Sequence, residues 1–281
     1  MLPVLLNLGF FKIYTFGVFA AIALVWGLFV LWKHIKLTSY KEEDIFDCAF
    51  ISIAIGLIVS RLVFVALSFN TFGFNVLKII LVNGYPGMSL LGFLIGLFVS
   101  LYFCFRKLGI ETKQAIDYIV TPLLIALSFG KLGSFLSGAD VGTKTTFPLS
   151  VHFVGYGSIR HVVSFYEAVL FLIGAVIARR VLFAIRQGRL PNSANFFWFL
   201  FVFGGVSALL DKIKQNRLYL GSFSLNLVVG MIFCIVGVAY FIIINRQQII
   251  NKMGLLFVKV RTINNERSNT KRNSRNSKKT K

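Results

Sequence analysis

Arg61, Ser89, Lys131, Ser134, Arg160, His161, Tyr166, Glu167 and Asp211 are the residues of this chain whose types and placement can do chemistry. Each lies at or near one end of a long apolar stretch, and five such stretches carry them to one depth. A charge at the centre of a bilayer costs about 2.5–3.5 kcal/mol on insertion scales. Arg61 and Lys131 must therefore snorkel, pair with a carboxylate such as Glu167 or Asp211, or meet an anionic ligand. A structural ion pair would satisfy either cation alone. The whole constellation, with a long loop between the fourth and fifth stretches, favours a site for an anionic lipid headgroup.

Membrane-spanning helices must position these groups. The chain has 281 residues, 57% of them hydrophobic and 14% charged, with a mean hydropathy of +0.78, against about 25% charged in ordinary soluble domains. A hydrocarbon core about 30 Å thick needs roughly 20 apolar residues per helix. Spans are expected at Ile13–Trp32, Ile45–Phe69, Met88–Phe105, Ala115–Leu136, Ser164–Val181, Ala194–Leu210 and Leu220–Ile244. A closed β-barrel would instead show short segments of period-two alternation. The expected fold is an all-α integral membrane protein of seven transmembrane helices. The first run has neither a basic leader nor a small-residue cleavage site, so it is expected to stay as a helix.

Alternate loops differ in charge. Lys33, Lys36, Lys41, Arg106, Lys107, Lys113, Arg179, Arg180, Arg186 and Arg189 fall on one side, together with the C-terminal tail. The other side holds Lys12, Lys78, Lys144, Arg160, Lys212, Lys214 and Arg217. By the positive-inside rule the first set is cytoplasmic, the N-terminus is outside and the C-terminus is inside. The chemical residues then face outward. Residues 1–245 form the transmembrane catalytic domain, and 246–281 a basic tail that is disordered in isolation. That tail carries eleven basic residues against Glu266, half of the net +20, and suits anionic lipid at the inner leaflet. No aromatic–basic platform accompanies the charges, so nucleic acid is not the expected partner.

No internal repeat and no matched pair of interrupted helices is visible, which argues against a two-halved transporter. Cys48, Cys104 and Cys234 lie inside expected spans, with neither a disulfide framework nor a metal spacing. His34 and His152 have no chemical context. Gly92, Gly96, Gly133 and Gly138 serve helix packing in one reading and a site in the other.

Five segments and Asp117, in register, carry a resemblance. Gly87-Met88-Ser89-Leu90-Leu91-Gly92-Phe93-Leu94-Ile95-Gly96 is followed by Asp117, by Gly130-Lys131-Leu132-Gly133-Ser134-Phe135-Leu136-Ser137-Gly138, and by Arg160-His161-Val162-Val163-Ser164-Phe165-Tyr166-Glu167. Gly56 through Arg61-Leu62-Val63-Phe64 stands upstream, and Gly204-Gly205 through Asp211-Lys212-Ile213-Lys214 downstream. In order and spacing the chain resembles the prolipoprotein diacylglyceryl transferase family over all but its basic tail.

The resemblance implies a multi-pass enzyme of the bacterial plasma (inner) membrane, with its active face toward the outer side. It would move the diacylglyceryl group of phosphatidylglycerol onto the lipobox cysteine thiol of a prolipoprotein, releasing glycerol phosphate. No metal or organic cofactor is implied, and the expected unit is a monomer. The thiolate is the nucleophile, so a base must take the thiol proton; His161, Glu167 and Asp211 are the candidates. Lys131, Arg61 and Arg160, with Ser89, Ser134, Gly133, Gly138 and Tyr166, are the candidates for the headgroup. Charge building on the phosphate is the other demand.

This chain departs from the family's usual residues. Leu91 stands where a histidine is usual, Lys131 and Ser207 where arginines are, and Ser134 where an asparagine is. A glutamate is expected near Ala139, a proline at Val162, and a longer carboxylate at Asp211. A working transferase and a non-catalytic binder of phosphatidylglycerol or lipoprotein signal peptides both fit these residues.

Overall fold

The computed structural model describes residues 2–9, 12–81, 84–215, 217, 219, 220, 223–244 and 246. A hairpin of β1 (Val4–Asn7) and β2 (Lys12–Tyr14) leads into α1 (Thr15–Ile35) and α2 (Glu42–Leu67). Two short helices, α3 (Phe69–Phe72) and α4 (Val76–Ile80), precede α5 (Leu90–Lys107) and α6 (Thr112–Ser137). The hairpin β3 (Ser150–His152) and β4 (Ile159–His161) then leads to α7 (Val163–Arg186) and α8 (Ala194–Asp211). Last come β5 (Tyr219–Leu220), β6 (Phe223–Ser224) and α9 (Leu225–Ile244).

Among the described residues, seven helices are long and apolar enough to cross a membrane, and each overlaps one of the seven apolar stretches. The fold is an all-α membrane bundle. Two boundaries move most. Helix α7 continues to Arg186 rather than ending at Val181, as arginine stems can lie along apolar surface while their heads reach water. Helix α9 starts at Leu225 because Tyr219 and Leu220 pair with Ser224 and Phe223 as antiparallel strands. The basic tail, 247–281, lies outside the described residues. The chain divides into two compact units, Met1–Gly237 and Val238–Lys281. In the second, the Tyr240 and Phe241 rings meet edge to face at 5.7 Å. The site described below lies wholly in the first.

In that first unit α2 packs on α5, α1 on α6, α6 on α7, and α7 on α8. Contact between α1 and α2, and between α5 and α6, is slight. Glycine sets the closest approach. A Cβ at Gly92 would come within 2.8 Å of Val63 Cβ and 3.0 Å of Ser60 Cα, and one at Gly96 within 3.0 Å of Gly56 Cα. Without a hydrophobic drive between helices in lipid, such backbone proximity is what makes packing favourable. Ser52 also donates to Ser100 across the same interface at 3.1 Å.

The end of the bundle remote from the candidate residues is tied by Asp117 on α6. Its carboxylate accepts from the backbone N–H groups of Ser193, Asn195 and Phe196 at 2.6, 3.0 and 3.1 Å. Asn195 Nδ2 returns a bond to the Asp117 carbonyl at 2.8 Å. A helix N-terminus leaves several N–H groups without internal partners and carries partial positive charge. A fully buried carboxylate on α6 satisfies them for α8.

Candidate active site

At the other end of the bundle, α5, α6, α7, α8 and the segment after it, with residues of α1, α2 and α9, line a cavity of about 410 Å³. Its polar lining includes Ser89, Lys131, Ser134, Asp140, Glu167 and Lys214. Ser89 is the N-cap of α5: its Oγ accepts from Gly92 N at 3.2 Å, the expected role of serine there. Its backbone is held on α2, with Ser89 N bonded to Ser60 O at 3.2 Å and Ser60 Oγ donating to Ser89 O at 2.9 Å.

The cavity is organised by ions. Lys131 Nζ lies 2.7 Å from Glu167 Oε2 and 3.3 Å from Asp140 Oδ2. Lys214 Nζ lies 2.5 Å from the other oxygen of Glu167, Oε1. Glu167 is almost fully buried, so its charge requires such partners. Asp140 reaches the cluster because α6 ends at Gly138, whose φ of +73° is the left-handed conformation that favours glycine. Ala139 N then bonds Ser134 O at 3.0 Å, and the chain turns back toward Lys131. Ser164 Oγ donates to Asp140 Oδ2 at 3.0 Å. Burial alone would raise the Asp140 carboxyl, but Lys131, Ser164 and Lys214 outweigh it and hold the group below the usual carboxylate range.

Several expected site residues have other partners. Arg61 is buried, and its guanidinium donates to the carbonyls of Ile79, Gly87 and Lys78 at 2.8, 2.8 and 3.0 Å. It also lies 5.0 Å from the Phe72 ring. Arg61 fastens the segment between α2 and α5, and the carboxylate partner expected for it is absent from these contacts. Arg160 donates to Gly142 O at 3.1 Å and Gln215 Oε1 at 2.7 Å, over the Tyr156 ring at 4.2 Å. His161 sits between the Phe147 and Tyr166 rings, at 6.1 and 6.2 Å, with Nδ1 buried and without a hydrogen-bond partner among the described residues. Tyr166 donates to Leu149 O. Asp211 is buried and accepts from Ser224 Oγ at 2.7 Å. None of these five lines the cavity. Gly133 faces Phe19 of α1, where a Cβ would come within 2.5 Å of Phe19 Cβ, so it serves packing.

The structure thus brings together Lys131, Glu167, Ser89 and Ser134 from the expected set, and adds Asp140 and Lys214. Asp140 stands one place beyond Ala139, where the resemblance leads one to look for an acid. Leu91 and Ser207 line the same cavity. A second cavity, about 440 Å³ and almost wholly apolar, lies between the α1–α6 and α2–α5 pairs, where helix contact is slight. It runs from Phe16 and Gly130 to Leu31, Leu101 and Ile119, and shares Phe16, Leu57, Leu90, Phe93 and Lys131 with the first. Charge at one end and hydrocarbon along the rest is the outline of a lipid.

A family model described as prolipoprotein diacylglyceryl transferase matches residues 3–243. The chain belongs to the prolipoprotein diacylglyceryl transferase family. Its relatives include the phosphatidylglycerol–prolipoprotein diacylglyceryl transferase of Streptococcus sanguinis, 26% identical over 251 residues, 85% of this chain and 94% of the relative. That of Clostridium novyi is 21% identical over 260 residues, 90% and 98% of the two chains. That of Clostridium tetani is 29% identical over 153 residues, 54% of this chain and 61% of the relative. The motifs that carry the resemblance map onto this site, but unevenly. The stretches around Ser89, Lys131 and Glu167 line the cavity, while the Arg160-His161 pair lies in β4 beside it.

Proposed function

We propose that this chain transfers the diacylglyceryl group of phosphatidylglycerol to the thiol of a prolipoprotein's lipobox cysteine, the first step of lipoprotein maturation. The observation that carries this reading is the joining of the ionic and apolar cavities at Lys131. The apolar cavity suits acyl chain, and Lys131 stands where the phosphate would follow. The carbon–oxygen bond between diacylglyceryl and phosphate breaks as the sulfur–carbon bond forms. Glycerol phosphate leaves with the bonding pair, and the thiol proton passes to a carboxylate. Glu167 and Asp140 are the acids of the cavity lining, and Lys131 opposes the charge that grows on the phosphate. Arg61, Arg160, His161 and Asp211 act by positioning the walls.

The active face is the outer one. The helix ends remote from the cavity carry Lys33, Arg106, Lys107 and Arg186, and basic residues mark the cytoplasmic side. The chain acts as a monomer in the bacterial inner membrane.

Leu91 and Ser207 in the cavity wall favour one second reading, a non-catalytic binder of phosphatidylglycerol or of lipoprotein signal peptides. Expression in cells depleted of their own transferase separates the two. A diacylglyceryl mass increment on the lipobox cysteine of a prolipoprotein is expected. Its absence, with the protein folded in the membrane, would leave the binding reading.

A further inference from the structure

Glu167 is gripped from both sides. Lys131 holds one oxygen and Lys214 the other, at 2.7 and 2.5 Å. The two ammonium groups come from different walls, one from α6 and one from the segment after α8. They are the cations among the described residues lining the ionic cavity.

Lys214 is not a loosely placed surface lysine. Its side chain is 19% exposed, and its backbone N–H donates to Asp211 O at 3.1 Å. Lys214 also forms a bridge with Gly142. On either side of it, Thr143 N bonds Ile213 O at 2.8 Å and Gln215 N bonds Val141 O at 3.1 Å. The segment after α8 is thus laced to the loop after α6, and the Lys214 stem starts from a fixed base. A Cβ at Gly142 would collide with the His161 carbonyl, so that loop lies flat against β4 and brings Lys214 within reach of Glu167.

Lys131 and Lys214 balance Glu167 and Asp140 in the cavity lining. A phosphodiester brings one negative charge, and the departing phosphomonoester gains a second as the carbon–oxygen bond breaks. One lysine already shared between two carboxylates is poorly placed to meet that increase alone. We propose that Lys214 is a second phosphate-binding cation of the transfer site, and that Glu167 occupies its ammonium until the donor lipid's phosphate arrives. This assignment rests on the transferase reading. Because the charge grows along the reaction, Lys214 should contribute more to turnover than to capture of the lipid.

The test uses the full chain, purified in detergent, with two readouts. One is transfer from phosphatidylglycerol to a lipobox peptide. The other is binding of phosphatidylglycerol against diacylglycerol, which lacks the phosphate. Lys214→Met should lower kcat roughly 100-fold or more, the scale for losing one electrostatic donor, with a smaller change in KM. Lys214→Arg should keep most activity. Phosphatidylglycerol binding should weaken about tenfold, as expected for losing one charge-assisted hydrogen bond, while diacylglycerol binding stays unchanged. The same comparison on a Glu167→Gln background excludes a counterion role. If Lys214→Met costs nothing in phosphatidylglycerol binding there, Lys214 merely neutralises Glu167 and the proposal is overturned. Wild-type kcat for Lys214→Met would overturn it too. A wild-type chain that binds phosphatidylglycerol through Lys214 without transferring it would sink the transferase reading and leave the phosphate site standing.

Discussion

The Lys131 ammonium lies 2.7 Å from Glu167 and 3.3 Å from Asp140, at the point where the ionic cavity meets the apolar one. It is the cation both cavities share, and its charge should matter more than its shape. Lys131→Arg should retain or raise turnover, because a guanidinium can hold two phosphate oxygens at once. Lys131→Met should lose about 2.7–4 kcal/mol of transition-state stabilisation. Equal rates for the Lys and Met forms in a phosphatidylglycerol-to-peptide transfer assay would place the phosphate elsewhere.

Arg61 is expected to act on stability first. It donates to three backbone carbonyls of the segment between α2 and α5, and a hydrogen bond to a charged group contributes about 1.5–3 kcal/mol. Arg61→Ala should therefore cost at least about 2 kcal/mol, and thermal unfolding in detergent would show it. Cleavage by protease between residues 76 and 87 should also become faster. An unchanged melting temperature and cleavage rate would refute the fastening role.

Asp117 should be intolerant of truncation though it is far from the chemistry. Asp117→Ala would orphan three N–H donors at the start of α8, each costing about 1–3 kcal/mol if it stays buried and unpaired. Asp117→Asn keeps one acceptor oxygen and should lose less. Ranked melting temperatures, wild type above Asn above Ala, are the expected outcome; Ala equal to wild type would show that α8 needs no cap from α6.

Asp140 gives the stability a defined acid limb. Its folded-state pKa lies below the ordinary value, about 3.9 in the unfolded chain. Its contribution is complete above that unfolded value and disappears as pH falls through the lower folded one. Asp140→Asn should flatten the fall in stability below about pH 4 and leave the slope near neutrality alone. Parallel acid limbs in unfolding curves of the two proteins would contradict this. The side chain is 49% exposed, so solvent screens the effect.

The membrane architecture was legible in the sequence because apolar length is a local property, and each of the seven stretches reports its own helix. Lys131 was legible as a cation in need of a carboxylate, with Glu167 and Asp211 both on offer, because a buried charge needs an opposite one, and the fold supplies Glu167. Arg61 was misleading for the same reason: the rule that finds a carboxylate for every buried cation overlooks carbonyls, which α4 and Gly87 just before α5 supply. Asp140 was hidden more deeply, and nothing marked Lys214 out from Lys212 and Arg217 beside it. One depends on the left-handed turn at Gly138, the other on a pairing between segments more than 70 residues apart, Gly142 with Lys214. No periodicity records such a contact. His161 shows the reverse case, a residue of the right type whose ring is enclosed by Phe147 and Tyr166 beside the cavity.

The apolar cavity between the α1–α6 and α2–α5 pairs bears on how such a molecule discriminates. If that slot takes acyl chain, as proposed, every lipid of the surrounding bilayer offers it the same hydrocarbon, and the tails would confer almost no choice. Selection would then be left to the few ångströms around Lys131, where a zwitterionic neighbour and an anionic donor differ. A change to the slot should alter how fast any lipid is sampled, and a change to the ions should alter which one is kept.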